Sequence, residues 1–242
     1  MSSVIYFISD VHLGSAGSSV SDREKLAGLK ALFSMISGSE DRLFILGDLF
    51  DFWFEYRTVV QKEHLEMIAL LRELRAKGVA VDLLAGNHDF WFGDFLTREL
   101  GVQIHRGSFS LEADGKRFFL AHGDGQGKGD LGYKIIKPVL RSPFTIWLYG
   151  LLHPDLAIPL AKWFSKISRK HLTKGMHLDP APMIAVARGK FTAGYDHVLM
   201  GHTHLPMAHE ENGRMYVNLG DFIDNFSYAV YRGGTLSLEY LK

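Results

Sequence analysis

The chain contains no cysteine, which excludes disulfides, thiol nucleophiles and thiolate metal sites together. Any metal it binds is held by His, Asp, Asn and water. Neither sign of charge is in excess, since 27 Lys and Arg balance 27 Asp and Glu. No overall field recruits nucleic acid, and none is expected as a partner. Also missing is any run of the roughly 18 to 20 apolar residues that span a bilayer. Met1–Asp10 carries no basic residue ahead of its apolar stretch and reads as a first β-strand rather than a secretion signal. The expectation is a cytoplasmic protein, at most peripheral on the cytoplasmic face of a membrane. No repeat, low-complexity segment or linker divides the 242 residues, a length that buries a core as one domain, 1–242.

What is present is one event repeated: an apolar, strand-like run ends in a short cluster of Asp, His or Asn. Asp10-Val-His12 follows Val4–Ser9, Gly47-Asp48 follows Leu43–Leu46, and Gly86-Asn87-His88-Asp89 follows Val81–Ala85. His122-Gly-Asp124 follows Phe118–Ala121, and Gly201-His202-Thr-His204 follows Val198–Met200. A single histidine is more often structural than a ligand. Five such clusters in one order describe a site for two metals.

Between these runs the pattern becomes helical, which points to an α/β protein with its chemistry at strand ends. Ser21-Asp-Arg-Glu24 is a capping box that opens a helix to about Ile36, with Leu26, Leu29, Leu32, Phe33 and Ile36 on its inner face. A second helix is expected from Thr58 to Lys77, ending at Gly78, with Leu65, Ile68, Leu71 and Leu74 buried. From about Leu131 to His171 the chain reads helical again, with Pro143 in a first turn after Ser142. This stretch is rich in large apolar side chains, Trp147, Trp163 and Phe164 among them, and in Lys and Arg. We take about 125–178 as a helical cap inserted into the core. Taken alone, apolar residues at helical spacing such as these are read as core or dimer contacts. Met215–Leu219, Tyr228–Tyr231 and Leu236–Tyr240 read as a closing antiparallel meander.

Hydrolysis at phosphorus develops charge on the entering and leaving oxygens, and two cations about 3.5 to 4 Å apart stabilise both. Asp48, after a strand and a glycine, suits the bridging position. Asp10 and His12, and likewise His202 and His204, alternate by two, so each pair points one way if the backbone is extended. Asn87 adds an oxygen without charge, and His122 a further imidazole. Asp51 and Asp89 are read as partners that orient ligand imidazoles or as local turn caps. Asn218 and Asp221 follow a late strand and can support the site from behind. His64, His105, His153, His171, His177, His197 and His209 are given structural or exposed roles.

In this order the clusters resemble the signature of calcineurin-like metallophosphoesterases, whose fold is a two-sheet αββα sandwich. The resemblance implies one metal on Asp10, His12, Asp48 and His204, and a second on Asp48, Asn87, His122 and His202. It implies catalytic roles for Asp48 and His88, with His88 contacting the phosphoryl group or protonating the leaving oxygen. The cofactors implied are two divalent ions, Mn first on analogy, with Fe or Zn as alternatives.

A narrower resemblance rests on Gly47-Asp-Leu-Phe-Asp-Phe-Trp53, Gly86-Asn-His-Asp-Phe90 and Ala121-His-Gly-Asp124 followed by a helical insertion. These are similar to the UDP-2,3-diacylglucosamine pyrophosphatases of lipid A biosynthesis, which release UMP and 2,3-diacylglucosamine 1-phosphate. That family implies substrate contacts from Asn87, His88, Asp130, Tyr133 and Arg141, and an acyl-chain cleft among the apolar residues of the cap; the cap's Lys and Arg residues are read as a solvated face, a pyrophosphate clamp or a contact with the inner membrane. The chain departs from its best-known branch in carrying His88 where that branch has Arg. Histidine is the wider superfamily's residue. The alternatives are therefore a phosphodiesterase for another nucleotide, nucleic acid or phospholipid, and a non-catalytic, metal-stabilised binding module.

Overall fold

A computed structural model describes residues 3–15, 18–126, 137–172 and 179–241. Two sheets carry the chain. The first has six strands, in the order Thr235–Tyr240, Ser227–Arg232, Ile5–Ile8, Arg42–Ile45, Ala80–Leu84 and Gln103–His105, and the second five, in the order Phe109–Ala113, Lys116–Leu120, His197–Met200, Arg214–Asn218 and Met207–Glu211. The first sheet is built from β1 (Ile5–Ile8), β2 (Arg42–Ile45), β3 (Ala80–Leu84) and β4 (Gln103–His105), all parallel, closed by β10 (Ser227–Arg232) and β11 (Thr235–Tyr240), antiparallel. In the second, β6 (Lys116–Leu120), β7 (His197–Met200) and β9 (Arg214–Asn218) run parallel, flanked by antiparallel β5 (Phe109–Ala113) and β8 (Met207–Glu211).

Three apolar clusters define the layers. Phe7, Phe44 and Leu84 of the first sheet pack with Phe118, Leu120, Leu199 and Val217 of the second, so the sheets meet face to face. On the outer side of the first sheet, Tyr6, Ile8, Leu43 and Val81 pack with residues of α1 (Asp22–Met35), α2 (Leu65–Ala76) and α3 (Phe95–Leu100). Behind the second, Phe119, Val198 and Tyr216 pack with Met183, Ala187 and Phe191 of a late helix, Ala181–Thr192. This is the expected αββα sandwich. The strands that face helices on one side and a sheet on the other read as nearly continuous apolar runs for that reason.

α1 begins as expected: Ser21 accepts from the Glu24 backbone while the Glu24 side chain takes the Ser21 N–H. α2 starts later than expected, at Leu65 behind a 3₁₀ turn, Lys62–His64. Residues 58–61 stay non-helical, and they include the β-branched pair Val59-Val60. Leu65 is exposed rather than buried, and the inner face is Met67, Ile68, Leu70, Leu71 and Leu74. The expected meander is also corrected, because β9 pairs in the second sheet while β10 and β11 pair in the first. A tight β9-to-β10 hairpin is replaced by a switch between layers.

Within the expected cap lie α4 (Pro143–Tyr149), capped by Ser142 with Pro143 in its first turn, and α5 (Pro154–Leu172), which includes Pro159. The helix behind the second sheet is α6 (Ala181–Thr192). Trp147, Trp163 and Phe164 are more than half exposed, which excludes a core role for them. Tyr149 instead turns inward onto Phe52, Phe54 and Trp91, and Trp91 Nε1 donates to Leu140 O. No described helix is long and apolar enough to cross a membrane.

Candidate metal centre

Every cluster singled out above hangs from the C-terminal end of a parallel strand. β1, β2 and β3 deliver Asp10, Asp48 and Asn87, and β6, β7 and β9 deliver His122, His202 and Asp221. Ligand sites of open α/β sheets form at such strand ends. Neighbouring strand ends are joined within each sheet, Asp10 N donating to Gly47 O in the first and Gly201 N to His122 O in the second, while Phe222 N donates to Asp10 O from one sheet to the other.

The side chains converge because the backbone turns, and not because it is extended. Asp10, His12, Asp48, His202 and His204 all have positive φ, between 49° and 71°. Left-handed backbone costs a non-glycine residue about 1 to 3 kcal/mol, so five of these at one place store strain in the site. The expected extended alternation of Asp10 with His12, and of His202 with His204, is therefore corrected. Glycines make the close approach possible: a Cβ at Gly86 would fall on Asp48 Oδ1, and one at Gly201 on Ser9 Oγ and Asp10 Oδ2.

Each carboxylate uses one oxygen on the frame and turns the other inward. Asp10 Oδ2 accepts from Ser9 Oγ at 2.6 Å and His202 N at 2.8 Å. Its Oδ1 is buried without a hydrogen-bond partner, 3.4 Å from His204 Nε2 and 3.7 Å from His12 Nε2. Asp48 Oδ1 accepts from His88 N at 2.9 Å. Its Oδ2 lies 3.6 Å from His12 Nε2 on one side and 3.4 Å from His122 Nε2 on the other. Asn87 Oδ1 stands 2.9 Å from His122 Nε2.

Outer contacts set which imidazole nitrogen faces in. His122 Nδ1 donates to Leu46 O at 2.8 Å, His204 Nδ1 faces Asp221 Oδ2 at 3.3 Å, and His12 Nδ1 faces Asp51 Oδ1 at 3.5 Å. Each Nε2 is then the inward donor atom. Asp51 Oδ1 thus stands beside the His12 imidazole, the position that the first of its two expected roles requires. Asp89 takes the other role, accepting backbone N–H groups of Asp48, Leu49, Phe50 and Gly86 and fastening two ligand loops together.

Among the described residues, ligand-type atoms of Asp10, His12 and His204, of Asp10, Asp48 and His122, and of His12, Asp48 and His88 gather within 4.8 Å of one another. The His202 ring sits against His122 with centroids 5.1 Å apart. This mixed nitrogen and oxygen set, with a buried carboxylate oxygen in its midst that faces two imidazoles and accepts no hydrogen bond, fits divalent transition-metal ions. Cation binding at these nitrogens displaces protons.

Those protons are well placed in the structure. Burial alone would raise the Asp10 and Asp48 carboxyls, but His204 at Asp10, and His122 with His88 at Asp48, hold both well below the usual carboxylate range. Reciprocally, against burial, Asp48 raises His122, and Asp10 and Asp221 raise His204 to about 10. Burial lowers His88 and His202 to about 4, and it raises Asp89, beside Asp48, to about 7.

His88 and Arg141 occupy less open positions than expected. His88 Nδ1 lies 2.9 Å from Ser165 Oγ of α5 and 3.2 Å from Asp51 O, and its side chain is only 6% exposed. Arg141 donates to Gly86 O at 2.9 Å and to Arg106 O at 3.3 Å, and stacks over Phe90. Its guanidinium grips the loop that carries Asn87. Asp130 and Tyr133 lie outside the described residues. Ser165, which also donates to Asp51 Oδ1 at 3.0 Å, was not anticipated. Its signal is faint, one small polar residue after Trp163-Phe164.

The sequence profile of calcineurin-like phosphoesterases matches residues 3–206. The chain is 34% identical to the UDP-2,3-diacylglucosamine hydrolase of Porphyromonas gingivalis, across 100% of this chain and 99% of that one. It is 30% identical to the protein of the same name from Neisseria meningitidis, across 92% and 91% respectively. Among solved structures, Yfce, a phosphoesterase from E. coli, superposes with a TM-score of 0.48 at 18% identity over 98% of this chain and 92% of that one. With the profile spanning the strand-end clusters from Asp10 to His204, the chain belongs to the calcineurin-like phosphoesterase family.

Proposed function

We propose that the protein hydrolyses the pyrophosphate of UDP-2,3-diacylglucosamine to UMP and 2,3-diacylglucosamine 1-phosphate, using two divalent cations. Manganese is the first choice, then iron or zinc. The observation that carries the chemistry is Asp48 Oδ2, poised between His12 Nε2 and His122 Nε2. One carboxylate oxygen in that place bridges two ligand sets, Asp10, His12 and His204 on one side and Asn87, His122 and His202 on the other. The substrate assignment is supported by relatives of that name aligned over nearly the whole chain.

When bound, the cations polarise the phosphoryl oxygens and offset charge on the entering and leaving oxygens. The chain's own groups do the positioning. Asn87 adds an oxygen without charge, so the site keeps a net attraction for a pyrophosphate. Ser165 and Asp51 hold the Nδ1 side of His88, which leaves Nε2 to take and give a proton at the phosphoryl group. Arg141 keeps Asn87 in place through Gly86 O, and Asp130 and Tyr133 are assigned to the substrate on the family resemblance alone. Within one domain, α4 and α5, the described part of the region expected at about 125–178, act as a cap. Its outward aromatic side chains, with Phe144 at 68% and Trp147 at 60% exposure, rest on the inner membrane from the cytoplasmic side.

The test is incubation of the Mn-loaded protein with UDP-2,3-diacylglucosamine and chromatography for UMP. Formation of UMP at a rate exceeding hydrolysis of bis-p-nitrophenyl phosphate is the expected result. No UMP with Mn, Fe or Zn, alongside rapid diester cleavage, would replace this reading with a phosphodiesterase of another substrate.

A further inference from the structure

Lys25 is a lysine on the inner face of α1, in the row continued by Leu29 and Leu32, and it has no exposed surface. Burying an ammonium group is unfavourable unless it is paired and hydrogen-bonded, and its position explains what it serves. Nζ donates to the carbonyl oxygen of His12 at 2.9 Å and to Ser15 Oγ at 3.0 Å, and stands 3.6 Å from Asp22 Oδ1. Asp22 Oδ2 accepts from Gly14 N at 2.8 Å. Lys25 and Asp22 thus clamp the turn that follows His12.

His12 holds a left-handed backbone, φ 49°, that a free loop would relax. Its N–H donates to Asp48 O at 2.9 Å, its Nδ1 faces Asp51 Oδ1 at 3.5 Å, and its carbonyl is held by Lys25. With its backbone N–H and carbonyl both held and its ring beside Asp51, His12 points Nε2 toward Asp10 Oδ1 and Asp48 Oδ2. We propose that Lys25 is a positioning residue for His12, holding it in its strained conformation so that one of the two cation sites is preformed. The inference rests on the reading of His12 as a ligand. A lysine so placed also opposes nearby cations by its charge. The opposite prediction is therefore available, that its removal tightens binding.

The experiment is calorimetric titration of the metal-stripped, full-length protein with Mn, in the wild type and in Lys25→Met, with Co(II) absorption spectra reporting ligand geometry. The expected result is that one of two Mn equivalents weakens about 10- to 100-fold, as when a ligand loses its supporting contact, while the other is unchanged. A folded Lys25→Met protein that binds both equivalents as the wild type does, or more tightly, overturns the proposal. Should Lys25→Met not fold, Asp22→Asn decides, since it loosens the same clamp from a partly exposed position: weakening of one equivalent supports the proposal, and unchanged binding overturns it. The readout is independent of substrate. UMP formation with no effect of either variant sinks the role of Lys25 alone, whereas selective metal loss without UMP formation sinks only the substrate assignment.

Discussion

Ser165 Oγ lies 2.9 Å from His88 Nδ1 and 3.0 Å from Asp51 Oδ1, so a residue of α5 reaches the metal cradle and touches two of its groups. Removing this hydroxyl leaves the cation ligands untouched while loosening the His88 ring. For Ser165→Ala the hydrogen bond to Asp51 goes as well, but it is the loss of the one to His88, about 0.5 to 1.5 kcal/mol, that predicts a fall of roughly twofold to tenfold in kcat. Mn affinity stays at the wild-type value. Steady-state kinetics beside a Mn titration check this, and weakened Mn binding would show that Ser165 supports the ligands instead.

Asp51 faces His12 Nδ1 at 3.5 Å and stabilises the tautomer whose Nε2 lone pair points inward. Asp51→Asn is expected to weaken Mn binding by about 10- to 100-fold. Equilibrium dialysis with metal analysis measures it. An affinity equal to the wild type would reduce Asp51 to a packing role.

A methyl group at residue 201 would collide with Ser9 Oγ and Asp10 Oδ2, the pair that fixes Asp10. Overpacking of this kind costs about 1 to 3 kcal/mol, so Gly201→Ala should lower the midpoint of urea unfolding and impair Mn uptake together. Full Mn uptake by Gly201→Ala would mean that the strand edges part more easily than their hydrogen bonds suggest.

His64 supplies a pH dependence away from the cradle. Burial against Phe50 and Trp53 lowers its pKa to about 4, and Nε2 donates to Phe52 O at 3.1 Å. The unfolded value is about 6.5, so between these values the unfolded chain binds the extra proton. The contribution is fully present above about pH 6.5 and is lost as pH falls toward 4, by about 3 kcal/mol at most. Urea unfolding at pH 5 and pH 7.5 tests it: His64→Gln should narrow the difference between the two pH values. An equal difference in both proteins would show that other groups carry the acid sensitivity.

The cap surface has its own test. Phe144 and Trp147 are mostly exposed, so replacing both by Ser should change stability by no more than about 0.5 kcal/mol. Each side chain buried in a membrane interface is worth about 1.5 to 3 kcal/mol, so partition onto anionic lipid vesicles should drop more than tenfold in a flotation assay. Partition equal to that of the wild type would assign this face to something other than lipid.

Much of the site was legible because its residues follow apolar strands directly, and parallel pairing brings strand ends to one edge without further information. Asp10, His12, Asp48, Asn87, His122 and His204 meet for that reason. How they turn inward differs from what the spacing predicts: a spacing of two predicts an extended chain, whereas left-handed turns aim the side chains, and no local propensity announces a conformation imposed by tertiary contacts. β5 and β8 carry only a weak strand signal in the sequence, because each exposes alternate residues at a sheet edge and carries polar ones. Lys25 and Ser165 were hidden differently. A lysine in an apolar helix row reads as a flaw, and a serine between aromatic and basic residues reads as filler, until the partners across the fold are known.

The central claim is that Asp48 joins two cation sites in one hydrolytic centre, and the number of Mn ions held per chain tests it most directly. The account predicts two equivalents in the wild type, with both weakened in Asp48→Ala and phosphoester hydrolysis lost with them. Two tightly held equivalents in Asp48→Ala would contradict it.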